Sequence, residues 1–86
     1  MVVYDPLPAQ AKEKFKRDYW LGADIVSAIE LELTKDPAKR AVLWEKPNVY
    51  ILVYTPEVTP CVEIRIKYLV GVNGVKVKYF KAVYLE

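Results

Sequence analysis

Residues 61–84 read CVEIRIKYLVGVNGVKVKYFKAVY, and this stretch decides the fold. Val62, Ile64, Ile66, Tyr68 and Val70 alternate with Glu63, Arg65 and Lys67. That period of two is the mark of a strand with one face buried and one face wet. Asn73-Gly74 follows, the strongest short hairpin signal, because a type I′ turn needs positive φ at both central positions. Val75 to Leu85 then forms the return strand. With Asn73 and Gly74 as the loop, Val72 faces Val75, Val70 faces Val77, Tyr68 faces Tyr79 and Ile64 faces Val83. These pairs make one apolar face. On the other face Lys67 meets Phe80, Leu69 meets Lys78, Gly71 meets Lys76 and Glu63 meets Tyr84. The second face therefore gathers Arg65, Lys67, Lys76 and Lys78 with Phe80 and Tyr84. Lys81 breaks the pattern by falling on the apolar face. Either it snorkels at an edge or a bulge shifts the strand there.

Upstream, Val49-Tyr50-Ile51-Leu52-Val53-Tyr54 is β-branched and aromatic and is bounded by Pro47-Asn48 and Thr55-Pro56, so it reads as another strand. Val2-Val3-Tyr4 is a short β-prone start, stopped by Asp5-Pro6. A helix is expected from Pro8 to about Tyr19, with Leu7, Ala11 and Phe15 along its apolar side. Gly22 marks a break. A second helix is expected from about Asp24, as N-cap, to Thr34, with Ile25, Val26, Ile29 and Leu33 as its apolar stripe. Asp36-Pro37 stops it, because a residue before proline is pushed out of the α region. Residues 38–47 hold either a helical turn or a short strand around Ala41-Val42-Leu43-Trp44. Trp20 and Trp44 read as core anchors at the helix–sheet contact, the alternative being exposed aromatics for a protein partner. The fold class is α+β: one domain over residues 1–86, two N-terminal helices packed on one face of a small, mainly antiparallel four-stranded sheet. The strands lie near 2–4, 49–54, 61–70 and 75–84.

Composition removes several chemistries. Eighty-six residues allow one domain with a small core. The chain has no histidine, so it holds no Ser-His-Asp triad, no histidine-pair ribonuclease site and no imidazole ligand. Cys61 is the one cysteine and Ser27 the one serine, which excludes a disulfide framework and a multi-cysteine zinc site. Glu30 and Glu32 stand on different helix faces, and no acidic cluster has metal-site spacing. No metal and no cofactor are expected. Cys61 has no histidine to act as its base and reads as a structural thiol. The net charge of +2 carries little information about nucleic acid by itself. No apolar run reaches the roughly 18–20 residues of a membrane span. The start of the chain lacks a signal-peptide layout, so a free thiol implies a cytoplasmic protein. One glutamine and two asparagines among many Lys, Glu, Val and Tyr suit a thermophile.

The basic, aromatic hairpin face is the main candidate site. Cations beside exposed rings neutralise phosphates and stack on unpaired bases. The plain alternative is a solvated face whose lysines keep the sheet from aggregating. The first helix adds Lys12, Lys14, Lys16 and Arg17, either as a second phosphate patch or as an ordinary wet face.

The order of a short strand, two helices and an antiparallel meander resembles the RelE/ParE superfamily of toxins from toxin–antitoxin modules. Leu33-Thr34-Lys35-Asp36-Pro37 is similar to the stop after that family's second helix. Arg65-Ile66-Lys67-Tyr68 followed by Val72-Asn73-Gly74 is similar to its basic middle strand and tight turn. The RelE branch cleaves messenger RNA on the ribosome with Arg, Lys and Tyr instead of a histidine pair. The resemblance implies Arg65, Lys67 and Tyr84 as catalytic residues, with Tyr79 competing for the tyrosine role. It implies Lys76 and Lys78 as further phosphate contacts, beside which the hairpin register sets Phe80 as a nucleic-acid-binding ring, and an antitoxin and the ribosome or RNA as partners. The ParE branch targets DNA gyrase and needs no nuclease site. The loop Thr55–Pro60 is longer than the family's usual turn, and an inactive relative fits the same layout. Two readings stand beside the toxin: a non-catalytic nucleic-acid-binding module, and a protein-interaction domain, which a homodimer would satisfy.

Overall fold

The computed structural model describes residues 1–37, 42–43, 48–59 and 61–85. Along the chain run β1 (Val2–Tyr4), α1 (Pro6–Asp18), α2 (Gly22–Lys35), β2 (Val42–Leu43), β3 (Val49–Tyr54), β4 (Val62–Gly71) and β5 (Gly74–Tyr84). The strand order is β1-β5-β4-β3-β2. β1 lies parallel to β5, and every other pairing is antiparallel. The α+β architecture expected from the sequence is the one observed. Its four strands are joined at the β3 edge by the two-residue β2, the short-strand option for that region. Trp44, expected as a core anchor, lies outside the described residues.

Both Pro6 and Pro8 sit in the first turn of α1. The N–H groups there have no partner within a helix, so two prolines cost nothing and the helix starts two residues earlier than expected. Asp5 is its N-cap, and its carbonyl accepts from Ala9 N–H at 2.9 Å, but its side chain makes no capping hydrogen bond, because the carboxylate is held by Lys78 at 2.6 Å. The helix buries Phe15 and Pro8, while Leu7, expected on the apolar stripe, is exposed. α2 begins at Gly22, so Asp24 lies inside the first turn instead of at the cap. A carboxylate there still favours the positive end of the helix dipole. Gly22 is required by close approach: a Cβ at this position would stand 2.5 Å from the carbonyl oxygen of Phe15. α2 buries Ile25, Val26, Ile29 and Leu33, the expected stripe, and ends before Asp36-Pro37.

The helices cover one face of the sheet. Against them lie Leu52 of β3, Val62, Ile64, Ile66 and Tyr68 of β4, and Val75, Val77 and Phe80 of β5. Tyr68 is 1% exposed. Its hydroxyl donates to the carbonyl of Pro37, so the one polar atom of this core ring is satisfied. Burial, with Tyr50 and Asp36 nearby, pushes its phenol up to about 12. The Tyr4 hydroxyl donates to Glu30 at 2.7 Å, and the Lys12 ammonium lies 4.2 Å from the centre of the Tyr4 ring. These contacts tie β1 to both helices.

Two features of the hairpin differ from expectation. Its loop residues are Val72 and Asn73, and the closing pair is Gly71 with Gly74. Neither Val72 nor Asn73 has positive φ, and Gly74 alone does among the described residues, so the turn is not type I′. This displacement moves each partner by two positions and leaves the faces near the turn unchanged. The second difference does change them. Tyr68 pairs with Val77 but Lys67 pairs with Tyr79, so Lys78 is an extra residue, a β-bulge. Beyond it the phase of β5 reverses. Phe80 turns inward opposite Ile66, and Val83, expected in the core, turns outward opposite Glu63. Trp20, expected as a core anchor, is 82% exposed.

Candidate functional site

The sheet face away from the helices is organised in rows by strand pairing. Val53, Arg65 and Lys81 form one row across β3, β4 and β5. Ile51, Lys67 and Tyr79 form the next. Val49, Leu69, Lys76 and Val3 form a third, which reaches β1. Side chains directly opposite each other stand about 5 Å apart at Cβ. Successive rows are about 7 Å apart, twice the rise per residue. Arg65, Lys67, Tyr79 and Lys81 are therefore mutual neighbours, with the aliphatic side chains of β3 alongside. An open cavity of about 350 Å³ lies at this point, lined by Ile51, Arg65, Lys67 and Tyr79.

Arg65 stands directly opposite Lys81. Like charges so placed destabilise a sheet. Glu63 offsets this in part by accepting a hydrogen bond from Arg65 Nε at 2.7 Å. That bond uses one of the five donors of the guanidinium. Lys76 and Lys78 share the Asp5 carboxylate at 3.6 and 2.6 Å. The hydrogen bond from Lys78 is the largest influence holding the Asp5 carboxyl below the usual carboxylate range. All four cations named from the sequence thus lie on the outer side of the sheet.

The two aromatic residues named with them do not. Phe80 is 6% exposed, and its ring centre lies 6.1 Å from that of Phe15 inside the core. Tyr84 is on the helix side, with its ring 5.9 Å from that of Tyr19. The bulge at Lys78 is the cause in both cases. It takes Phe80 and Tyr84 off the outer face and puts Tyr79 and Lys81 there. The signal for this was in the spacing of β5. Val75 and Val77 share one phase, Phe80 and Ala82 the other, and the break falls at Lys78-Tyr79.

No family model, curated protein or solved structure matches this chain.

A second group of polar side chains lies beside Tyr84. The hydroxyls of Tyr19 and Thr59 are hydrogen-bonded to each other. Cys61 Sγ lies 3.1 Å from Thr59 Oγ1 and 3.7 Å from the Tyr19 hydroxyl. Hydrogen bonds from Thr59 first, then Tyr19, hold the thiol below its usual range. Thr59 is buried and fully engaged by these contacts. Among the described residues no group of His, Cys, Asp or Glu is arranged to hold a metal ion. No helix among them is long and apolar enough to cross a membrane.

Proposed function

We propose that the outer sheet face binds the phosphates of single-stranded RNA, and that the chain is a cytoplasmic RelE-like endoribonuclease toxin acting on ribosome-bound message, restrained by an antitoxin. One observation carries the reading: the bulge at Lys78 sets Tyr79 and Lys81 beside Arg65 and Lys67. Opposed cations on an exposed face raise the energy of the free protein, and a bound phosphate removes that repulsion. Tyr79, about half exposed, offers a ring for an unpaired base next to those cations. The order of strand, helix pair and antiparallel meander also supports the family resemblance.

In such a site Arg65 and Lys81 stabilise the charge that grows on a phosphate when an adjacent 2′-hydroxyl attacks it. Lys67 and Tyr79 are the groups placed to move the protons: one leaves the attacking hydroxyl and one reaches the departing 5′-oxygen. This assignment transfers the tyrosine role from Tyr84 to Tyr79. The test is RNA binding over a range of salt concentrations together with cleavage of message on ribosomes. Each phosphate contact to a single strand contributes about −0.7 to the log–log salt slope. Arg65→Gln combined with Lys81→Gln lowers its magnitude by about 1.4. Tyr79→Phe keeps affinity and loses cleavage, while Tyr84→Phe retains both. Wild-type protein with no salt-dependent affinity for single-stranded RNA refutes the reading. Binding without cleavage refutes the enzyme and leaves a passive RNA-binding module.

A further inference from the structure

At the end of the molecule where α1 gives way to α2, an open groove of about 580 Å³ runs between the first turns of α2, with Trp20 and Leu21 before them, and the loop after β3. Ile25, Ala28 and Tyr54 line it, and Trp20 and Val58 border it. Trp20 is 82% exposed and Val58 80%. Tryptophan is the side chain that gains most from being covered, yet the Trp20 indole has no ring contact and no hydrogen bond among the described residues. An aromatic and an aliphatic residue held open beside an apolar groove mark a surface that another molecule covers.

The charges of the groove narrow the occupant. Asp24 and Glu57 line it, and no lysine or arginine does. Neither carboxylate has an ion-pair partner among the described residues. A purely apolar cover would strip water from both without replacement, which is costly. A nucleic acid would bring phosphates against them. A cation set among apolar residues meets every requirement. A guanidinium can lie flat on the Trp20 ring while its edge pairs with a carboxylate.

We propose that this groove docks a segment of another protein in which an arginine or lysine stands among apolar residues, the apolar side chains filling the groove beside Trp20 and the cation pairing with Asp24 and Glu57. The surface lies away from the outer sheet face and does not depend on the RNA reading. The test uses the full chain carrying Trp44→Phe, so that its emission reports Trp20. The probes are two synthetic peptides, one built of leucine and arginine, the other with glutamate in place of arginine. The arginine peptide is expected to shift Trp20 emission to the blue, and the glutamate peptide to leave it unchanged. Asp24→Asn combined with Glu57→Gln is expected to weaken the arginine peptide by about ten-fold or more, with the circular dichroism spectrum intact. Equal binding of both peptides overturns the proposal. So does unchanged affinity in the double variant, or no shift with either peptide. Sedimentation of the free chain as a dimer that Trp20→Ala dissolves would assign the groove to a second copy instead.

Discussion

Deleting Lys78 tests the bulge, on which the composition of both sheet faces depends. In the observed register Val77 points inward, Lys78 is the unpaired extra residue, and Tyr79 faces Lys67. Removing Lys78 joins Val77 directly to Tyr79 and leaves a regular alternation: Val77 in, Tyr79 out, Phe80 in, Lys81 out. Every core side chain of β5 keeps its place, including Phe80 on Phe15. The variant loses the contact between Lys78 and Asp5 and no core atom. Its stability should stay within about 1 kcal/mol of the parent, as for changes at a surface. In a hairpin without a bulge the same deletion would do the opposite. It would reverse the phase of β5 beyond Val77 and expel Tyr79 and Val83 from the core, at about 3–5 kcal/mol for a buried aromatic ring alone. Urea unfolding followed by far-ultraviolet circular dichroism separates these outcomes. Amide hydrogen exchange of β4 and β5 should remain protected in the variant. A loss above about 3 kcal/mol, or β5 amides that exchange freely, would refute the register and with it the placing of Tyr79 and Lys81 beside Arg65.

Two further predictions concern the core and the thiol. Ile64→Ala and Ile29→Ala each remove a side chain at most 1% exposed, and each should lower unfolding stability by about 2–5 kcal/mol in denaturant titrations; a loss below about 1 kcal/mol at both would mean the faces are misassigned. Thr59→Val removes the hydroxyl that does most to lower the Cys61 thiol, so the pH profile of Cys61 alkylation should move to higher pH, with slower reaction at neutral pH; an unmoved profile in both Thr59→Val and Tyr19→Phe would show that these hydroxyls do not act on the sulfur.

The inner faces of β3 and β4 and the stripe of α2 were legible in the sequence because strand alternation and helical spacing state directly which side chains are buried. Ile25, Ile29, Leu33, Ile64 and Ile66 needed nothing more. The turn was not legible, for a reason that lies far away in sequence. Val75 N–H donates to the Met1 carbonyl at 2.9 Å, and a Cβ at position 74 would run into that carbonyl oxygen. β1 therefore needs Gly74 as the first residue of β5, which leaves Val72 and Asn73 to make the loop. The bulge escaped for a different reason. A single extra lysine changes neither composition nor charge and shows itself only as a phase break, of which Lys81 was the visible sign. Trp20 and Leu7 were misplaced because apolarity says that a residue gains from cover, not that its own chain provides it. The four cations of the candidate site were found through alternation, and the two aromatics were lost through the same alternation once the bulge reversed it.

A ribosome delivers β1 before any other strand and β5 after all of them, yet the two are neighbours in the sheet. Until Val75 emerges, Val2 has no strand to pair with, and the helices made in between have an apolar face with no completed sheet beneath it. Contacts so distant along the chain slow folding, because the ordering cost of the closing loop precedes the contacts that offset it. Ile25, Ile29 and Leu33 therefore lack their complete sheet until residues 75–84 have been made. The core closes only when β5 slides between β4 and the waiting first strand.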